Sequence, residues 1–514
     1  REELMPEDAV QGWVGSPDIP LDKPMLYHWS VIIENTLYVA FILFFIIILP
    51  LMTEKPDPRI SILIPMAYLG SVAVAAIMLY WRWRRTTVIF RETDLLIVRD
   101  TIFKRDQRIP YNKIASININ RGVINRIIGT SKLMFNINSS VNAIVPEATV
   151  VLRMDLADKV RYELSKKIYG SNLDAHTEDN VIPSVVNISN KDIVLHSILS
   201  QPTIATLIGA FFLGISIIEA YFMAIGGGMN VTLIVALFMF FSSTIIPMLV
   251  QLFHYYNYKI YRIKDTVYIK CGMIRLYNTS FKVNKINAVR IKSPLIARLT
   301  GRYFLEAEVV GLGSSEGGNS NEQSPLICPL KDRKTIDAVM SQVIPEFVYD
   351  RSPIKQPGAA AKTIYVHAAI WSVICIAVLF ALIYRVTELD VINPDLAMVL
   401  YALSACSMVI FFAHGAFSRR IVEMDTGENH FSFLWGVADR VITTVAYDKV
   451  QTVRIKDGPL TRPYGLAKCR VKLLTASGGG PVVSGYFRIQ DLEVIPETVL
   501  ARIEDGRYDY KAYL

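Results

Sequence analysis

Ile109–Gly129 (IPYNKIASININRGVINRIIG), Phe281–Gly301 (FKVNKINAVRIKSPLIARLTG) and Ala446–Gly465 (AYDKVQTVRIKDGPLTRPYG) are three copies of one pattern. Each holds a lysine, an arginine 13 residues later and a glycine 16 residues later: Lys113, Arg126, Gly129; Lys285, Arg298, Gly301; Lys449, Arg462, Gly465. Apolar positions match too, with Ile114, Ile286 and Val450 after the lysine and Ile117, Val289 and Val453 three further on. Thirteen residues before each lysine stands a turn-type residue, Asp100, Gly272 or Gly436. The copies lie 172 and 164 residues apart. That is far beyond the roughly 20–50 residues of a solenoid repeat, so a whole module has been triplicated.

Each copy follows a pair of apolar stretches. A helix crossing a bilayer needs about 20 mostly apolar residues. Six windows qualify: Asn35–Met52, Ile60–Trp81, Thr203–Ile225, Asn230–Phe253, Thr363–Tyr384 and Leu396–Phe417. Short turns join them in pairs, and Gly226, Gly227 and Gly228 suit a sharp reversal. Cations follow the second member of each pair: Arg82, Arg84 and Arg85; Lys259, Arg262 and Lys264; Arg419 and Arg420. The turns inside the pairs hold only Lys55, Arg59 and Arg385. The positive-inside rule then places the N-terminus and all three modules in the cytoplasm of a multi-pass cell-membrane protein. No signal peptide is expected in the acidic first 29 residues. The five cysteines, Cys271, Cys328, Cys375, Cys406 and Cys469, show no metal-ligand spacing and suit reduced thiols.

The modules read as β-rich. TVIFRETDLLIVRD, YKIYRIKDTVYIKCG and RIVEMDTGENHFSFLWG each alternate like two strands about a polar turn. Further strands precede the lysine, follow it, and follow the glycine. A helix closes each module: Asp155–Tyr169, Lys331–Glu346 and Ile489–Ile503. The expected class is membrane α+β: six transmembrane helices in three hairpins, each hairpin followed by a small antiparallel barrel or sandwich with a C-terminal helix. The boundaries are an N-terminal segment 1–29, hairpin 30–82, module 83–170, linker 171–202, hairpin 203–253, module 254–350, linker 351–362, hairpin 363–417 and module 418–514.

Paired spans followed by the Lys…Arg…Gly pattern, three times over, resemble the bacterial pleckstrin-homology-like (PH-like) membrane proteins of the YdbS/YdbT type. The match is to the long, YdbT-like form with three units. The resemblance covers about residues 30 to 505 and implies a PH-like fold, a strongly bent antiparallel sheet capped by a helix. It also implies a partner, a smaller relative with one hairpin and one such domain. VNISNKDIVLHSILS, before the third span, looks like that family's link between units.

The motif glycines are expected at turns needing positive φ. The motif arginines fit short helical turns at Val123–Ile128, Leu295–Thr300 and Leu460–Tyr464. Arginines and lysines of the motif read as structural or partner-binding residues that pair with a carboxylate or a carbonyl. Between Arg82 and Gly170 there are 17 basic and 8 acidic residues, against 14 and 9 for His254–Asp350 and 14 and 12 for Phe417–Leu514. The first module is therefore the most basic. Arg82, Arg84, Arg85, Lys104, Arg105 and Arg108 are its candidates for lipid-headgroup contact. Glu219 is the deepest ionisable residue in a span, and Ser243 or Thr244 are its candidate hydrogen-bond partners.

No catalytic constellation stands out: GLGSS near Gly311 lacks the GK[ST] of a phosphate loop, and GxSxG and HExxH are absent. No cofactor, metal or nucleic-acid partner is expected. The reading is a non-enzymatic membrane scaffold presenting three PH-like domains for protein assembly or headgroup contact, in envelope homeostasis or tolerance of membrane-active agents. Homo-oligomers are compatible with it. The alternative is a lipid-handling or transport protein with a groove between the hairpins. Small residues such as Gly70, Gly209 and Gly214, which permit close helix packing, favour a sealed bundle.

Overall fold

The computed structural model describes residues 22–48, 58–137, 148–169, 188–225, 231–310, 324–388, 394–473 and 481–506. The expected turns between paired spans and the GLGSS stretch near Gly311 lie outside these residues. Among the described residues, five helices are long and apolar enough to cross a membrane: Leu63–Arg84, Thr203–Ala224, Leu233–Tyr255, Ala360–Arg385 and Leu400–Ile421. The first expected span is seen as an apolar helix, Ser30–Leu43, running into a π-helical turn, Phe44–Ile48. Its remainder lies outside the described residues.

Within pairs the helices touch through small and aromatic residues. A Cβ on Gly415 would meet Ile364 at 3.1 Å, and the rings of Phe380 and Tyr401 meet edge to face at 4.7 Å. A second π turn, Phe241–Ile245, comes just before Pro247, whose missing N–H breaks the helical ladder. It presses Thr244 onto Gly209, where any Cβ would lie 1.8 Å from the threonine hydroxyl. Gly209 is ten residues from Glu219, about 15 Å along a helix. Ser243 and Thr244 thus serve the close approach at Gly209 and not Glu219, which is half-buried in Thr203–Ala224.

The first module shows how the soluble part is built. β1 (Met25–Leu26), β2 (Thr86–Phe90), β3 (Asp94–Asp100) and β4 (Lys104–Pro110) form one antiparallel sheet in that order. A 3₁₀ turn, Tyr111–Lys113, leads into β5 (Ile114–Arg121), β6 (Thr130–Ile137) and β7 (Ala148–Arg153) of a second sheet. Burial alternates along β2, with Thr86, Val88 and Phe90 buried and Thr87 and Ile89 half-buried between them. Phe90, Leu95 and Ile109 from the first sheet, Ile117, Leu133 and Phe135 from the second, and Val160 and Leu164 from the helix Met154–Tyr169 make one dry core. The motif residues Ile114 and Ile117 are in that core.

Later modules repeat the scheme. β8 (Lys259–Ile263), β9 (Thr266–Cys271) and β10 (Leu276–Lys282) form a meander, and β11 (Ile286–Ser293), β12 (Arg302–Val309) and β13 (Leu326–Asp332) a second one, closed by helix Arg333–Val343. In the third module a short β14 (Ile354–Lys355) joins β15 (Glu423–Thr426), β16 (His430–Trp435) and β17 (Arg440–Ala446). β18 (Val450–Lys456), β19 (Leu466–Leu473), β20 (Val482–Val483) and β21 (Phe487–Arg488) follow, with helix Ile489–Glu504. Phe431, Phe433, Tyr447, Cys469, Phe487 and Ile495 centre its core.

Each module was expected to close its own sheets. Two sheets instead run from one module into the next. Their strand orders are β7-β6-β5-β10-β9-β8 and β13-β12-β11-β17-β16-β15-β14. The chain forms two compact units, and the second module is shared between them: β8, β9 and β10 belong to one, β11, β12 and β13 to the other. Each continuous sheet lies wholly inside one unit.

Candidate functional site

The residues that recur in the sequence gather at the places where one module's sheet continues into the next. In the first junction β5 pairs antiparallel with β10, and Arg121 faces Leu276. In the second β11 pairs with β17, and Ser293 faces Arg440. Counted from the motif lysines, both pairs join a residue eight after one lysine to a residue nine before the next. The two junctions therefore share one register.

The motif arginines close these junctions. Arg126 sits in the helical turn Val123–Ile128, which ends at Gly129 with φ 76°. Its Nη1 donates to the Met273 carbonyl at 2.7 Å. Arg298, in the turn Leu295–Leu299 before Gly301 (φ 67°), donates from Nη1 to the Val437 carbonyl at 3.0 Å. Met273 and Val437 each follow a turn glycine, Gly272 and Gly436, which have φ of 117° and 95°. A Cβ on either glycine would come within 1.9 Å of a backbone oxygen, so the turn that offers the carbonyl requires glycine. Burial, and then the nearby Arg440, lower the Arg298 pKa from its usual value.

Among the described residues the third arginine bonds no turn of another module. Arg462, in the 3₁₀ turn Arg462–Tyr464 before Gly465 (φ 61°), turns back on Asp457 at 2.8 Å. The Arg462 side chain is largely open to solvent and that of Asp457 about a third open. That hydrogen bond holds the Asp457 carboxyl below the ordinary carboxylate range and raises the arginine.

The lysines work in the opposite direction. Lys449 is buried at 7% exposure, and its Nζ donates to the carbonyl of Asn284, one residue before Lys285, at 2.9 Å. Asp448 lies 3.2 Å from the same amine. Lys285 is half-buried. Lys113, in the first module, is exposed.

Residues without a sequence signal complete the second junction. Asp439 accepts hydrogen bonds from the backbone N–H and hydroxyl of Thr203, the first residue of a membrane helix. The Leu295 N–H donates to the Thr203 hydroxyl at 3.2 Å, and the Thr363 hydroxyl donates to the Leu460 carbonyl at 3.1 Å. The motif turns thus abut the starts of spans. Near span one, Glu34 pairs with Lys132 at 2.7 Å and accepts from Asn125. No spacing rule marks Asp439 or Asn284, because they matter only through a strand pairing 150 or more residues distant in sequence.

Of the basic residues of the first module, Arg82, Arg84 and Arg85 stand at the end of the second span and Lys104, Arg105 and Arg108 in β4. Arg82, Arg84, Arg85, Lys104, Arg105 and Arg108 are all exposed. Asp100 engages two of them, Lys104 at 3.1 Å and Arg85 at 3.5 Å, and the Lys104 hydrogen bond is the main cause lowering its pKa. Between Asp100 and Lys104 the turn carries Ile102 and Phe103, which are 81% and 85% exposed. A second cationic feature was not anticipated. A cleft of about 340 Å³ beside His367 is lined by Lys456, Lys468, Arg470 and Tyr486. Lys468 lies 4.2 Å from the Tyr486 ring centre, and burial, then Arg470, lowers its pKa.

A bacterial PH domain family model matches residues 38–168 and 371–503, together just over half of the 514 residues. The chain belongs to the bacterial PH domain family. Each bacterial PH match begins in the first helix of a hairpin and ends in the helix closing the module, so hairpin and module form one family unit. The middle module, outside the matched stretches, repeats the same order of strands. The chain is also 20% identical over 339 residues to the UPF0699 transmembrane protein YdbT of Bacillus subtilis (strain 168), covering 60% of this chain and 67% of that protein. It is a YdbT-like bacterial PH domain membrane protein. No solved structure matches it.

Proposed function

We propose that this protein is a non-enzymatic integral membrane scaffold. Six spans in three hairpins carry three PH-like modules at the cytoplasmic face, coupled through shared sheets, for protein assembly and headgroup contact. The observation that carries the reading is the use made of the repeated arginine. In two modules it bonds the turn of the following module, so the motif joins one module to the next. A chain whose recurrent residues serve as couplings suits holding partners in order. The smaller one-hairpin relative implied by the resemblance is a fitting partner, and envelope homeostasis or tolerance of membrane-active agents a fitting process.

Headgroup contact is supported by the first module. Ile102 and Phe103 project from the turn whose Asp100 pairs with Lys104 and Arg85, and the Asp100 N–H bonds the Arg85 carbonyl at the end of a span. Apolar tips flanked by lysine and arginine suit the boundary of an anionic bilayer, each near-surface cation contributing about 1 kcal/mol. Ile127, in the motif turn of the same module, is another exposed apolar side chain at 80%.

The test is reconstitution of the full chain into vesicles containing a fluorescent lipid, with and without anionic lipid. A scaffold leaves lipid translocation at the protein-free rate, while anionic lipid slows amide exchange across Thr101–Arg108. Fast translocation would overturn the scaffold in favour of lipid handling.

A further inference from the structure

The two junctions use one side of β5 and β11 and one side of β10 and β17. The strand corresponding to β10 and β17 in the first module is β4, and it pairs only with β3 among the described residues. The strand corresponding to β5 and β11 in the last module is β18, and it pairs only with β19. Exposure follows pairing: six of the eight residues of β11 are buried, against one of the seven of β18. Four of the seven in β4 are exposed, and Ile102 is 81% exposed where its second-module counterpart Ile274 is 43%. An open edge with unpaired N–H and C=O groups is a template for another strand.

We propose that copies of this chain join head to tail, with β18 of one copy pairing antiparallel with β4 of the next. This deepens the scaffold reading and rests on it. One chain carries both halves of a junction that it already builds twice. The shared register places Lys104 opposite Asp457, Arg105 opposite Lys456, Gln107 opposite Arg454, and Arg108 opposite Val453. Lys104 and Asp457 attract. Arg105 and Lys456 repel and hold the association weak, since like charges directly opposite destabilise a strand pair. Lys113 is free to take the Asp448 carbonyl as Lys449 takes that of Asn284, with the Asp448 carboxylate beside it. Arg462 stands where Arg126 and Arg298 close the internal junctions.

Two full-length variants reconstituted together, Arg108→Cys and Val453→Cys, test the register. Mild oxidation is expected to give a disulfide-linked dimer of unlike copies, and Arg108→Cys with Lys456→Cys far less of it. In single-molecule mass measurements on nanodisc or detergent samples, Arg105→Glu should tighten association at least fivefold by converting the repulsive pair. Arg462→Ala should weaken it by a similar factor. A chain that stays single up to tens of micromolar, with Arg105→Glu changing nothing and no preferred cysteine pair, overturns the proposal. That result would leave the internal junctions, and the scaffold reading, in place. Fast lipid translocation in the vesicle assay would instead remove the scaffold while leaving the cross-links unaffected.

Discussion

β11 and β18 occupy the same place in successive modules, follow the same lysine and precede the same arginine, yet one is interior and the other is an edge. β11 has β12 on one side and β17 on the other, and Arg298 beyond it holds the Val437 carbonyl. β18 has β19 alone, and Arg462 folds back on Asp457 in solvent. Sequence similarity between the two strands therefore conceals opposite environments. Whether a motif residue is structural or available depends on whether another strand pairs beside it.

The largest effect expected to break this comparison comes from Gly436→Ala. A methyl there meets the Asp439 backbone oxygen, and the φ of 95° disfavours any side chain. The turn that presents Val437 and Asp439 should be destabilised by about 3 kcal/mol or more, read as a drop in thermal midpoint. Gly465→Ala, at the free end, has open space and a φ of 61°, and should cost only about 1 kcal/mol. Equal shifts would mean that the coupling turn has no special demand.

Acid should act next, and on the β11–β17 sheet. His196, in the helix Asn190–Leu199, is fully buried against Phe304, and burial followed by Lys292 pushes its pKa down to about 3. The folded state thus favours the neutral ring. Its contribution is complete above the usual value near 6.5 and is lost progressively as pH falls toward 3. At pH 5 the loss is about 2 kcal/mol. His430 in β16, lowered by burial as well, adds in the same direction. Thermal midpoints at pH 7 and pH 5 should differ, and His196→Gln should flatten the difference. An unchanged slope in that variant would assign the acid sensitivity elsewhere.

Arg298→Ala should cost about 1–2 kcal/mol, the worth of a charge-assisted bond to a carbonyl at a partly exposed site. Arg126→Ala, whose bond is more exposed, should cost less. Arg462→Ala should leave the thermal midpoint of a single copy nearly unchanged, because an exposed ion pair contributes little. A ranking with Arg462 first would invert the account.

Much of the fold was legible because it is local. Alternating apolar residues marked β2 and β9, the triplicated motif marked the modules, and about 20-residue apolar runs marked the spans. The closing helices fell within two or three residues of expectation at their starts, Met154, Arg333 and Ile489. The motif glycines, expected at positive φ, take it in all three copies. What was hidden is non-local. Arg121 facing Leu276, or Lys449 reaching Asn284, depends on pairings across 155 and 165 residues that leave no periodicity in either strand. The cleft at Lys468 and Tyr486 was hidden for the same reason, since His367 reaches it from a helix nearly 100 residues earlier.

The central claim is that the repeated arginine couples successive modules. Native-state amide exchange across β17, Arg440–Ala446, tests it most directly when the unaltered chain is compared with Arg298→Ala and Arg462→Ala. The account expects β17 amides to lose protection about tenfold in Arg298→Ala and to stay unchanged in Arg462→Ala. Equal protection in all three proteins would contradict it, and would reduce the motif to a local turn.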